Sequence, residues 1–106
     1  MKAAIFHPGA RAVLKSFSED VRRVFGKAIF DLQKGKTLAM PLSRRMSSVA
    51  PGVEELRVKD RTGAYRAFYF TKVVDAILIF HAFEKKSAKT PSHEIELARK
   101  RLKEML

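Results

Sequence analysis

The sequence predicts an α+β fold with elements in the order β-α-α-β-β-β-α. Three observations predict it: an apolar stripe at helical spacing through residues 21–32, alternating aromatic-rich segments across residues 53–83, and an amphipathic stretch after residue 90. At 106 residues the chain suits a single domain, 1–106, with one modest core.

Residues 3–7 (AAIFH) read as a short apolar strand that Pro8 and Gly9 end. A helical stretch follows over Ala10–Phe17. A better helix starts at Ser18, an N-cap, with Glu19 and Asp20 placed where negative charge complements the helix dipole. Val21, Val24, Phe25, Ala28, Ile29 and Leu32 then recur at i, i+3, i+4, i+7, i+8 and i+11, which is a core-facing stripe. Arg22, Arg23 and Lys27 take the opposite face, and Lys34 with Gly35 is a stop signal. Residues 36–52 read as loop, with two prolines, three serines and a closing glycine. Arg44 and Arg45 lie there with no acid nearby, either to meet a partner or on a solvated tether.

Residues 53–59 (VEELRVK) alternate as a strand does, and DRTG at 60–63 is turn chemistry. AYRAFYF (64–70) is a second strand. After a connection at Val74-Asp75, AILIFHAF (76–83) is apolar on both sides, as suits a strand covered on both faces. The three form an antiparallel meander. EKKSAKT (84–90) reads as a basic loop. Thr90 is read as the N-cap of a last helix with Pro91 at its first position. Ile95, Ala98, Leu102, Met105 and Leu106 give that helix its apolar face, and Glu96 pairs with Lys100 at i, i+4.

Charge is the unusual property: 22 Lys and Arg against 11 Asp and Glu leave a net charge of +11. That excess repels itself, and a polyanion would offset it. Nucleic acid leads, since phosphates reward Lys and Arg through counterion release. An acidic protein, an anionic membrane surface, or no partner at all also fits the charge alone. Several chemistries are excluded or left without residues. There is no cysteine, so no disulfide, thiolate metal site or thiol nucleophile. His7, His81 and His93 are far apart and have no ligand-spaced partners, so no metal is expected. GKT at 35–37 lacks the setting of a phosphate loop, and no cofactor is implied. The N-terminus has no signal-peptide core, and the longest apolar run is far too short to span a bilayer, so a cytoplasmic protein with no membrane role is expected.

What remains is a cationic set on the meander. Arg57 and Lys59 share one face near the end of the first strand, beside Arg61 in the turn. Arg66 stands near the start of the second strand, and Lys85, Lys86 and Lys89 follow the third. The meander should bring Arg57, Lys59, Arg66, Lys85 and Lys86 together at one edge of the sheet. Such a cluster suits RNA cleavage: the 2′-hydroxyl loses a proton and attacks phosphorus, and charge grows on nonbridging oxygens that arginine can clamp. A proton-transfer group is also needed. His81 has the right intrinsic pKa, Glu55 or a lysine with lowered pKa is the alternative, and Tyr69 qualifies by type. The plainer reading of each stands beside this: a solvated lysine run, a hydrogen-bonded core histidine, and a Glu55 that simply pairs with Arg57 or Arg66.

ELRVKDRTGAYRAFYF (55–70), followed by ILIFHAFEKKSAKTPSHEIELARKR (77–101), resembles the RelE/ParE toxin superfamily, and within it the HigB-like, phage Gp49-related branch. The shared pattern is ELR, a turn, a YR pair, an apolar strand ending HxFxKK, and a KTP helix start with EI. The resemblance implies a RelE-like fold with the two N-terminal helices on one face of an antiparallel-rich sheet, the first strand at its side, and a C-terminal helix. It implies the toxin of a type II toxin–antitoxin system, commonly a ribosome-dependent messenger-RNA endoribonuclease that inhibits translation.

By the same match Arg57 orients RNA, Arg66 binds the scissile phosphate, and Lys85, or Lys86 if the loop shifts by one, takes part in catalysis. Arg44, Arg45, Lys59, Arg61 and Lys89 are the remaining candidate RNA contacts. Some members carry lysine where Glu55 stands and a tyrosine in the C-terminal segment that this chain lacks. The implied partners are messenger RNA, the ribosome, and a cognate HigA-like helix-turn-helix antitoxin through which operator DNA is reached. That antitoxin is expected to cover the basic edge or to hold the C-terminal helix. The competing function is a non-enzymatic, ParE-like toxin that inhibits DNA gyrase, and a third is a catalytically inactive RNA- or protein-binding module. Codon-phased cuts would mark the first, and blocked supercoiling with intact RNA the second.

Overall fold

The computed structural model describes residues 1–106. In chain order the elements are β1 (Ala3–Phe6), α1 (Pro8–Ser16), α2 (Glu19–Gln33), β2 (Ser43–Arg45), β3 (Val53–Asp60), β4 (Gly63–Val73), β5 (Ala76–Lys85) and α3 (Ser92–Met105). The expected α+β class and the antiparallel β3–β4–β5 meander are both present. One sheet forms in the order β1-β5-β4-β3-β2, with β1 parallel to β5 at one side.

Four local expectations are corrected. Pro8 does not merely end the strand but opens α1, because His7 caps the helix: its Nδ1 accepts from the Gly9 amide at 3.0 Å. The 36–52 segment is not all loop, since Ser43–Arg45 pairs antiparallel with Glu54–Leu56 as an edge strand. A three-residue strand carries too little alternation to be read locally, and pairing alone defines it. β5 continues through Glu84 and Lys85 into the segment read as basic loop. Thr90 does not cap α3; Pro91 holds the N-cap position, with no side-chain cap bond. Ser18 does cap α2, accepting from the Val21 amide at 3.3 Å. Gly35, at φ 89°, follows α2 in the left-handed conformation that glycine adopts without strain.

The two faces of the sheet bury separate cores. α1 and α2 place Leu14, Val21, Phe25, Ile29 and Leu32 against Leu56, Val58, Tyr65, Tyr69, Ile77 and Ile79. On the other face Ala98 and Leu102 of α3, with Met46 and Val49, cover Phe68, Leu78, Phe80 and Phe83. β5 is therefore buried on both sides, as its unbroken apolar run requires. A bulge matters for the site. Phe68 pairs with His81 but Tyr69 pairs with Ile79, so Phe80 is an extra residue. Alternation is broken there, and Phe80 and His81 both turn toward α3. No helix is long and apolar enough to cross a membrane.

Candidate active site

Strand alternation puts Glu55, Arg57 and Lys59 of β3 on the face away from α1 and α2, because Leu56 and Val58 fill the core beneath those helices. Arg66 and Phe68 of β4, and His81, Phe83 and Lys85 of β5, share that face. The registers then set three rows across the sheet: Arg44–Glu55–Phe68–His81, Arg57–Arg66–Phe83, and Lys59–Ala64–Lys85. α3 packs mainly over β5, and the cations gather on β2, β3 and β4.

Glu55 is the centre. It is 2% exposed, and its Oε1 lies 3.6 Å from Arg57 Nε, 3.6 Å from Arg66 Nε and 3.8 Å from Arg44 Nε. These are ion pairs beyond hydrogen-bond length. The Nε–H groups of Arg57 and Arg66 are buried and donate to nothing. Arg66 does donate from Nη1 to the Tyr65 carbonyl at 3.2 Å, and Arg57 from Nη1 to the Met40 sulfur at 3.4 Å, so neither side chain is free to wander. Buried donors of this kind cost stability until a ligand meets them, about 1–3 kcal/mol each. Burial raises the Glu55 carboxyl above the ordinary 4.5, and Arg66, Arg44, Arg57 and Lys85 offset only part of that rise. Burial, then the nearby Arg66 charge, lowers the Lys85 ammonium.

Of the residues singled out in the sequence, Arg44, Glu55, Arg57 and Arg66 meet, with Lys85 close enough to feel all four. Lys59 lies on the same face along the row to Lys85 and lines, with Arg57 and Arg66, a cleft of about 430 Å³ reaching Pro41 and Leu42. Lys86, Lys89 and Arg61 are exposed in the flanking loop and turn. Arg45 pairs in register with Glu54 and, by alternation, faces away from the cluster. Tyr69 is also turned away; its hydroxyl bonds Ser43 Oγ at 2.7 Å inside the α1–α2 core. Arg44 entered the cluster only because β2 forms.

His81 shares the face but not the cluster, since Phe68 stands between it and Glu55 in their row. It is 2% exposed under α3, with Glu94 Oε1 at 2.7 Å from Nε2 and Arg101 Nη1 at 3.0 Å from Nδ1. A guanidinium can only donate, so Nδ1 accepts, and Nε2–H donates to Glu94. This fixes the neutral tautomer. Burial accordingly depresses the His81 pKa, with Glu94 opposing. A histidine with a depressed folded pKa contributes stability above its unfolded value, 6.5, and loses it as pH falls through the folded value. His81→Gln should therefore lower stability by about 1–3 kcal/mol at neutral pH and flatten this acid-side loss. Thermal melts of both proteins from pH 8 to pH 5 check it, and parallel curves would contradict it.

A five-stranded sheet with two helices on one face, a third on the other and arginines ringing a buried carboxylate is a basic α+β domain of the RelE fold. The isolated E. coli RelE toxin superposes with a TM-score of 0.59 at 15% identity, covering 100% of both chains. A chain of the intact E. coli RelBE toxin–antitoxin complex superposes at 0.54 with 14% identity, covering 82% of this chain and 100% of that one. By sequence, the chain belongs to the phage-derived Gp49-like family (DUF891), whose pattern matches residues 12–103. The branch that the ELR, YR and HxFxKK segments resembled is thus the one it falls in. No curated protein matches it in sequence.

Proposed function

We propose that this chain is the toxin of a type II toxin–antitoxin pair and acts in the cytoplasm as a metal-independent, ribosome-dependent endoribonuclease on messenger RNA. The observation that supports this best is the Glu55 cluster: an acceptor held among three arginines, two of which keep a buried, unpartnered donor. A phosphodiester needs both. Arg66 and Arg57 take the nonbridging oxygens, and Arg44, exposed on the edge strand, holds the neighbouring backbone. Glu55, whose raised pKa makes it a better base than an ordinary glutamate, accepts the 2′-hydroxyl proton. The 2′-oxygen bonds to phosphorus, the bond to the 5′-oxygen breaks, and Lys85 gives that oxygen its proton. The products are a 2′,3′-cyclic phosphate and a 5′-hydroxyl. Lys59, Arg61, Lys86 and Lys89 extend the RNA track. The antitoxin, a HigA-like helix-turn-helix protein in this reading, supplies the contact to operator DNA.

The test is a translated message incubated with purified protein and mapped by primer extension. Cuts phased with codons and ending in cyclic phosphate are expected. Intact message with inhibited gyrase supercoiling would replace this reading with the gyrase one. RNA binding should also be steeply salt-dependent. Four phosphate contacts at roughly 0.7 each give a log–log slope near −3, so tripling salt costs about 20-fold in affinity. A flat response in filter binding would remove the phosphate track.

A further inference from the structure

We propose that the open edge of β3 beyond β2 seats one unpaired nucleobase, held through the Arg57 carbonyl and the Lys59 amide while its phosphate lies on Arg57 and Arg66. The seat rests on the RNA reading and deepens it, because it makes unpaired RNA the form of substrate that the Glu55 cluster receives.

Three observations converge. The first is a strand edge with two unused backbone groups. The Arg57 amide donates to the Leu42 carbonyl at 2.8 Å, so the backbone of Arg57 faces β2 and not β4. The return bond is missing, because the Leu42 amide donates to the Ala39 carbonyl at 3.1 Å and the turn there leads the chain away from β3. Two residues on, Lys59 faces the same way, beyond the last β2 pairing at Leu56. An acceptor and a donor thus stand side by side on an edge that the turn after Asp60 closes, too short for a peptide strand of ordinary length. The Watson–Crick edge of every RNA base carries a donor next to an acceptor, and in a duplex that edge is already in use. The second observation is the cleft beside this edge. It measures about 430 Å³ and has Val24, Pro41, Leu42 and Val58 as apolar walls. A cavity of about 150 Å³ already holds a benzene ring. Val24 belongs to the α2 stripe, yet it is 45% exposed while Val21 and Phe25 are buried, so its side chain is left to the cleft. The third is continuity with the site. Arg57 and Arg66 line both the cleft and the Glu55 cluster, with Lys59 between them and the turn. Apolar walls, two fixed backbone groups and cations at the mouth match the ring, edge and phosphate of one nucleotide.

The probes are the four nucleoside monophosphates, as 5′ and as 3′ esters, with ribose 5-phosphate as the base-free control. The best of them should bind at least about ten-fold more tightly than the control, the usual worth of one seated base. It should move the Lys59 amide and Val24 methyl signals of the labelled protein, which the control leaves in place. Lys59→Ala removes a charge and keeps the amide, so it should weaken nucleotide and control alike. Lys59→Pro also removes the amide, which an edge position tolerates, and should bring the ratio of the two affinities close to one. Val24→Glu, at an exposed position that the fold does not need, should do the same, because a seated base would strip water from the carboxylate. A ratio near one in the parent would overturn the proposal. So would a ratio that Val24→Glu leaves unchanged, or equal shifts at Lys59 and Val24 with a fully paired RNA duplex. A Lys59 amide that nucleotides leave unmoved and an antitoxin strand protects would give the edge to protein instead. If the base binds as expected while translated message stays intact, the nuclease reading falls and the seat stands. If message is cut and the ratio is one, the seat falls and the nuclease reading stands.

Discussion

Arg66→Ala should lower single-turnover cleavage of ribosome-bound message by about 10²–10³, the usual cost of losing one preorganised donor to a developing anion. The residue is 7% exposed near the start of β4, the central strand of the sheet, and its Nε–H has no hydrogen-bond partner in the free protein. A donor already desolvated and held in place by the fold needs little reorganisation when charge grows on phosphate. The loss should therefore fall on kcat more than on RNA affinity. Arg66→Lys should recover only part, because an ammonium cannot make the forked contact. Circular dichroism separates this from unfolding. A folded Arg66→Ala that cuts at the parental rate would show that the cluster is a binding surface and not the catalytic one.

Glu55→Gln should be at least as damaging, about 10²–10⁴, if the carboxylate takes the 2′-proton. The substitution keeps the shape and removes the base. The pH profile gives the sharper reading. Burial holds Glu55 above the ordinary 4.5, so the parent's kcat/KM should rise with pH along an acid limb centred above that value. In Glu55→Gln that limb should vanish. A purely positioning role predicts otherwise: the limb would remain, and the change would appear mostly in KM as three arginines lose their common anchor. Glu55→Asp, a shorter carboxylate, should keep the limb and lose rate.

Much of this site was legible because strand alternation is a local property. Once VEELRVK is a strand with Leu56 and Val58 inward, Glu55, Arg57 and Lys59 must share the other face. The meander then carries Arg66 and Lys85 to them, since short turns leave little freedom of register. The family resemblance added roles to positions that the pattern had already grouped. Arg45, although next to Arg44 in the chain, shows the limit: the same alternation that brings one into the cluster sends the other away, and only knowledge of β2 says which.

What the sequence determined by itself is the inventory of elements with strong local signals: the capped α2 stripe, the three long strands, the amphipathic last helix, and a surplus of positive charge. Each of these follows from periodicity or capping within a few residues. The tertiary structure decided what depends on contacts between distant segments. β2 exists because Leu56, Glu55 and Glu54 offer an edge to Ser43–Arg45. The Phe80 bulge turns His81 toward Glu94 and Arg101 and fixes its proton on Nε2. Glu55 has three arginine neighbours because β2 and β4 flank β3 in one register, which adds Arg44 and Arg66 to the Arg57 of its own strand. Local energetics cannot supply these, because the favourable term in each is an interaction with a residue between 10 and 20 positions away, as Arg44 to Glu55, Glu55 to Arg66 and His81 to Arg101 are.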